Sequence, residues 1–163
     1  VQALRYFEAA GSAGSAEACY EAGTMYRYTK ASNGERAFFC SDERALKWFR
    51  KALDCRPDKD LKREVMVQLI VLHCWSRTCR NVQFALDLGE KLYAGNEKDV
   101  LGAYFYGFAG IVFFENRLSR PKLFVGPDPQ DGVYKAKLQQ FWELVRTAVQ
   151  NGQPDVLELL KNE

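Results

Sequence analysis

The sequence predicts an all-α protein of stacked antiparallel helix pairs, and three observations carry that prediction. First, Ala3-Leu4-Arg5-Tyr6-Phe7-Glu8-Ala9-Ala10 returns 42 residues later as Ala45-Leu46-Lys47-Trp48-Phe49-Arg50-Lys51-Ala52, both reading Ala-Leu-x-aromatic-Phe-x-x-Ala. A period between roughly 20 and 50 residues marks architectures in which each unit leaves an apolar face that its neighbour covers. Second, apolar residues recur at helical spacing through helix-length segments separated by Gly, Ser, Asn and Pro. Third, no segment of useful length alternates in period two with strand-forming residues.

The elements follow in order. Residues 1–10 form a first helix with Ala3, Leu4, Phe7 and Ala10 toward one side. Gly11-Ser12-Ala13-Gly14-Ser15 breaks it, and Ser15 is placed to cap a second helix over 16–28, which carries Ala18, Ala22, Met25 and Tyr26. A linker over 29–40 holds the turn signal Ser32-Asn33-Gly34. Ser41 or Asp42 caps a third helix over 43–54, bounded by Pro57, which disfavours helical geometry at Arg56. Asp60 opens a long fourth helix through Val65, Leu69, Leu72 and Trp75, and after Thr78-Cys79-Arg80-Asn81 a fifth covers 82–93. Asp99 starts a sixth, apolar helix ending at Phe114 or Asn116. Residues 120–132, with Pro121, Pro127 and Pro129, form the one long irregular stretch. A seventh helix covers 135–150, stopped by Asn151-Gly152, and Pro154 opens a short eighth.

Length and composition bound the function. The 163 residues fit one domain and suffice to bury about two thirds of the unfolded surface. With 47% apolar residues, five Pro and twelve Gly, the chain is neither disordered nor of low complexity. The longest uncharged apolar run, 100–114, is short of the roughly 20 residues a spanning helix needs, so no membrane span is expected. Net charge is +2, but between Arg27 and Arg63 eleven Lys or Arg face six Asp or Glu. Lys47, Arg50, Lys51, Arg56, Lys59, Lys62 and Arg63 make this a candidate basic face for a nucleic-acid backbone or an acidic partner. Five cysteines at irregular spacing (Cys19, Cys40, Cys55, Cys74, Cys79) argue against a disulfide framework and fit a reducing intracellular compartment, leaving room for one surface pair.

Ala-Leu-x-Tyr/Trp-Phe-x-x-Ala, then Gly or Ser, then Ala16, Ala18, Ala22, Gly23 and Tyr26, resembles the Sel1-like repeat, a relative of the tetratricopeptide repeat. Part of that spacing returns 87 residues later as Ala103, Ala109, Gly110 and Phe113. Weaker second-helix copies start at Ala85 and at Phe141. The resemblance implies a right-handed α-solenoid of about three and a half repeats, one domain over 1–163 and a segment of a longer chain or an assembly. Two departures stand out: Ile70, Val71 and Leu72 replace expected small residues, and the loop at 121–132 breaks the period. The regular disulfide of the cysteine-rich members is absent.

Catalytic and metal signals are sparse. His73 is the only histidine, and Cys74 and Cys79, five residues apart, would lie roughly 140° apart on a helix. A zinc site needs about four compactly spaced ligands. Nucleophilic catalysis needs a base beside Ser or Cys, and Gly-x-Ser-x-Gly is missing. Gly11-Ser12-Ala13-Gly14 lacks the strand and Gly-Lys-Ser/Thr of a phosphate loop. No catalytic residue, metal ligand or cofactor is therefore assigned, and the chain is read as a non-enzyme.

What remains is a surface. The resemblance implies that first-helix residues around the core glycine line a concave face. Around Gly23 these are Tyr20, Thr24, Arg27 and Tyr28, and around Gly110 they are Tyr104, Ile111, Phe114 and Glu115. Tyr and Arg are enriched at binding hot spots. Leu123-Phe124-Val125 adds an apolar tip on the Pro-rich loop. The expected function is a protein–protein interaction scaffold that takes a peptide or partner subunit on this face. The alternative is a nucleic-acid-associated helical repeat or assembly subunit using the basic residues between 44 and 63.

Overall fold

The computed structural model describes residues 2–94, 99–119 and 130–153. Among them seven helices form and no strand does: α1 (Gln2–Ser12), α2 (Ala16–Tyr28), α3 (Asp42–Asp54), α4 (Lys59–Trp75), α5 (Val82–Tyr93), α6 (Val100–Leu118) and α7 (Asp131–Gln150). The protein is all-α, as expected. The eighth expected helix and the loop over 120–129 lie outside the described residues. The chain divides after Asn81 into two compact units, where the sequence reads as a single domain.

Three helix starts carry the predicted caps, Ser15, Ser41 and Asp99, while α4 is capped by Asp58 where the sequence reading opens it at Asp60. The side chains of Ser15, Ser41, Asp58 and Asp99 accept from the amides of Ala18, Arg44, Leu61 and Gly102, satisfying donors that have no partner within the helix. Helix ends follow the glycines. Gly14 (φ 106°) and Gly152 (φ 97°) close α1 and α7 with the same pair of bonds. Ser15 and Gly14 donate to the carbonyls of Ala10 and Gly11, and Gln153 and Gly152 donate to those of Ala148 and Val149.

Two boundaries differ from expectation. α1 runs through Gly11 rather than stopping there, because Gly11 is a packing residue: a Cβ at this position would lie 2.9 Å from Cys19 Sγ and 3.0 Å from the Trp48 ring. α7 starts at Asp131 instead of residue 135. Tyr134 packs on the Phe114 ring (centroids 5.7 Å), and that contact rewards an extra helical turn.

In the first unit α1–α2, α2–α3 and α3–α4 pack in sequence. Ala18, Cys19, Ala22 and Tyr26 of α2 are buried, as are Ala45, Phe49 and Ala52 of α3. Gly23 brings these two helices together, since its absent Cβ would sit 2.6 Å from the Phe49 ring. The linker 29–41 is ordered by Ala31 N–H to Glu35 O (2.8 Å), Ala37 N–H to Thr29 O (2.9 Å) and Ser41 N–H to Tyr26 O (2.9 Å). Ile70, Val71 and Leu72, the departure from the repeat pattern, are all buried in an α4 that is covered nearly all round its second half.

In the second unit α6 packs on both α5 and α7. Gly89 lets α5 reach the Tyr106 backbone, with its missing Cβ 3.0 Å from Tyr106 Cα. Gly107 and Gly110 receive Val145 and Phe141 of α7. Around them Tyr93 stacks on Tyr106 (5.6 Å), Tyr106 meets Phe141 edge-on (5.1 Å) and Phe141 stacks on Phe114 (5.8 Å).

The seats give a paired expectation. Gly110→Ala would put a methyl 2.3 Å from the Phe141 ring, so it should lower stability by about 1–3 kcal/mol even though Ala is the better helix former. Gly132→Ala, on the same fold with open space around it, should be neutral or stabilising by roughly 0.5–1 kcal/mol. Urea denaturation of both variants checks the contrast.

Candidate functional site

α2 has two sides. Ala18, Cys19, Ala22 and Tyr26 face into the unit, which leaves Tyr20, Thr24 and Tyr28 as a stripe at spacings of four. Tyr20 is half-buried with its ring 5.9 Å from Phe49. Its phenol lies beside Gln68 and Thr24, and burial, then the nearby Glu64 carboxylate, raises its pKa above the usual tyrosine value. Tyr28 is 47% exposed, and its hydroxyl donates to Gln68 Oε1 at 2.8 Å. Arg27 lays its guanidinium over the Tyr28 ring at 5.1 Å. The predicted α2 residues are thus assembled beside two α4 side chains, Glu64 and Gln68, that sequence reasoning missed. Both flank the buried Val65–Leu69–Leu72 stripe of α4, and nothing in the local pattern marks them as neighbours of α2.

The second half of the predicted surface is not a surface. Tyr104, Ile111 and Phe114 are 1%, 3% and 5% exposed, so they are core residues. α6 is apolar on every side from Val100 to Phe114, and most of those residues are buried. Glu115 alone of that group is exposed. Phe124 and its neighbours lie outside the described residues. An exposed apolar tip does occur elsewhere: Phe38, in the linker between α2 and α3, is 91% exposed and meets Phe39 edge-on at 5.6 Å.

The basic residues sit on α3, on the turn after it and on the first turns of α4. Lys47, Arg50, Arg56, Lys59 and Lys62 are exposed, while Lys51 and Arg63 are half-buried. The Lys51 ammonium caps the Trp48 ring at 5.1 Å. Exposed Asp54, Asp58 and Asp60 are interleaved with these cations, so the local field is mixed rather than uniformly positive.

His73 is a packing residue, 2% exposed, with Nδ1 2.7 Å from the Cys79 carbonyl, which it serves as donor. Together with Asn81 N–H to His73 O, this folds the chain back after α4. Burial, reinforced by Arg50, lowers its pKa despite the Cys79 bond. Among the described residues, no group of three His, Cys, Asp or Glu is placed to hold a metal, and no helix is long and apolar enough to cross a membrane. The α2–α4 stripe can donate and accept hydrogen bonds and stack rings; it holds no nucleophile paired with a base. Comparison with protein-family models, curated proteins and solved structures found no match.

Two outcomes follow. Phe114→Ala should cost about 3–5 kcal/mol of stability, read as a large fall in Tm, because it empties a core position. The unfolded imidazole titrates near 6.5 and His73 lower in the folded state, so below that pH the unfolded chain takes up the proton first. Stability from this group is level above pH 6.5 and falls below it, by at most about 1.4 kcal/mol per pH unit. An NMR titration of this single histidine with a midpoint at or above 6.5 would contradict the assignment.

Proposed function

We propose that the chain is a Sel1-like, tetratricopeptide-like interaction module, a non-enzymatic scaffold or adaptor that holds a peptide or partner subunit along the α2–α4 stripe. The repeat reading draws on one device used in both units: a glycine in one helix seating a ring of the next, Gly23 with Phe49 and Gly110 with Phe141. In a right-handed solenoid, first helices of successive repeats stand side by side and line the concave face, and α2 and α4 would be two of them.

The observation that carries the binding role is the Tyr28–Gln68 bond between α2 and α4. It joins an exposed aromatic, a stacked guanidinium and a side-chain amide on one accessible stripe. Such a stripe offers flat apolar area for a partner side chain and hydrogen-bonding groups for an extended peptide backbone. Lys47 and Arg50 would add electrostatic steering for an acidic partner.

The test is to identify the stoichiometric partner by purification from native cells with and without nuclease, then to titrate it against variants. Tyr28→Ala should weaken binding roughly tenfold or more with little change in Tm, since the residue is half-exposed. Unchanged affinity removes the α2–α4 stripe as the site. Partner loss on nuclease treatment alone transfers the role to the basic residues.

A further inference from the structure

α7 carries more apolar surface than it buries against α6. At 100° per residue, Ala148, Phe141, Tyr134 and Val145 share about 60° of its circumference. Val145 and Ala148 are buried, Phe141 meets Gly110, and Tyr134 packs on Phe114. Leu138, Val149 and Trp142 carry the apolar arc about 60° further round. Leu138 and Val149 are half-buried, and Trp142 is 37% exposed. On this flank lies a cleft of about 400 Å³ whose lining, among the described residues, comes from α7 alone: Lys135, Leu138, Gln139, Trp142, Glu143 and Arg146. An accessible apolar flank with a polar rim is the form an interaction surface takes.

The charges on that rim decide what fits. Lys135, Glu143 and Arg146 are exposed, and Arg146 donates to Glu143 at 2.5 Å. Consider a second α7 laid against the flank in antiparallel sense, with the two-fold axis at Gln139. Lys135 and Glu143 each stand four residues from that axis, so each Lys135 is level with Glu143 of the second copy. Arg146 is level with Gly132 of the second copy, where no side chain opposes it. Trp142 is offset from Leu138 of the second copy by two residues, about 3 Å along the axis, within reach of its ring. A parallel pair in register would instead set Lys135, Glu143 and Arg146 each against its own like charge.

From this self-complementary pattern we infer that α7 is a self-association surface, on which two copies of this chain pair through Leu138 and Trp142 in a register set by Lys135 and Glu143. The pairing is isologous, so every contact is made twice. A helix of 20 residues is about 30 Å long, and a contact between two such helices stays below the roughly 1,200 Å² of standard interfaces. The dimer is therefore weak, with Kd on the order of 10–100 µM. α7 belongs to the second unit, and its pairing stands independently of what the α2–α4 stripe binds.

The experiment is sedimentation equilibrium on the unaltered chain at concentrations spanning about 1–500 µM, around the expected Kd. The apparent mass should rise from that of one chain toward that of two. Trp142→Glu should weaken pairing roughly a hundredfold with little change in Tm, since the ring is already partly exposed. Lys135→Glu and Glu143→Lys should each weaken it roughly tenfold, and the two together should restore it. The mass of one chain at every concentration would overturn the inference and leave the flank to another protein or to the chain's own residues. A dimer that survives Trp142→Glu, or a double reversal no better than the single ones, overturns it as well. The charge variants alter exposed side chains only, so the test stands even if Trp142→Glu fails to fold.

Discussion

Everything else in this structure depends on rings seated on glycine. A Phe or Tyr ring carries about 150–250 Å² of surface, and burying it between two helices requires that one of them surrender a side chain. Gly23 does this for Phe49, and Gly110 for Phe141. Helix axes in contact normally stand about 8–10 Å apart, and a Cβ at either glycine would push the pair outward. With the seat intact, α2 and α3 approach closely enough to bury Phe49 completely and to set the tilted Tyr20 ring 5.9 Å from it.

The ends of the helices are held by a different physics, short polar bonds rather than ring burial. The α3 N-terminus illustrates it. Ser41 caps the helix, and Arg36 pairs with Asp42 across the linker. Burial alone would raise the Asp42 pKa, but the neighbouring Ser76 and Arg36 hold its carboxyl below the ordinary value. Exposed Glu43 is lowered in the same way by Thr78. Anionic groups at a helix start also complement its dipole, so each bond serves both ends. The linker, hung between Tyr26 and Ser41, is therefore positioned although it has no core of its own.

The α2 residues of the candidate site come from the resemblance to a helical repeat, and the packing of α2 leaves them together on one side. Tyr20, Thr24, Arg27 and Tyr28 lie where the buried side of α2 leaves them, because Ala18, Cys19, Ala22 and Gly23 define that side unambiguously. The same procedure failed on α6, where Tyr104, Ile111 and Phe114 are as apolar as the residues meant to be buried, and no polar stripe distinguishes one side. Gln68 and Glu64 were invisible for another reason: their value comes from standing next to α2, and neighbourhood across 40 residues leaves no mark in local pattern.

By itself the sequence determined the helical class, the positions of most helix boundaries and the residues that cap them. Those features rest on interactions within a few residues: Ser15, Ser41 and Asp99 reach amides three positions on, and Gly14 and Gly152 turn the chain where they stand. Only the tertiary structure decided that Gly11 continues a helix instead of ending it, that Tyr104, Ile111 and Phe114 of α6 are buried, and which side chains meet across α2, α3 and α4. The reason is that burial and contact are set by atoms distant in the chain, and a local period specifies that a side chain has a partner without specifying which one.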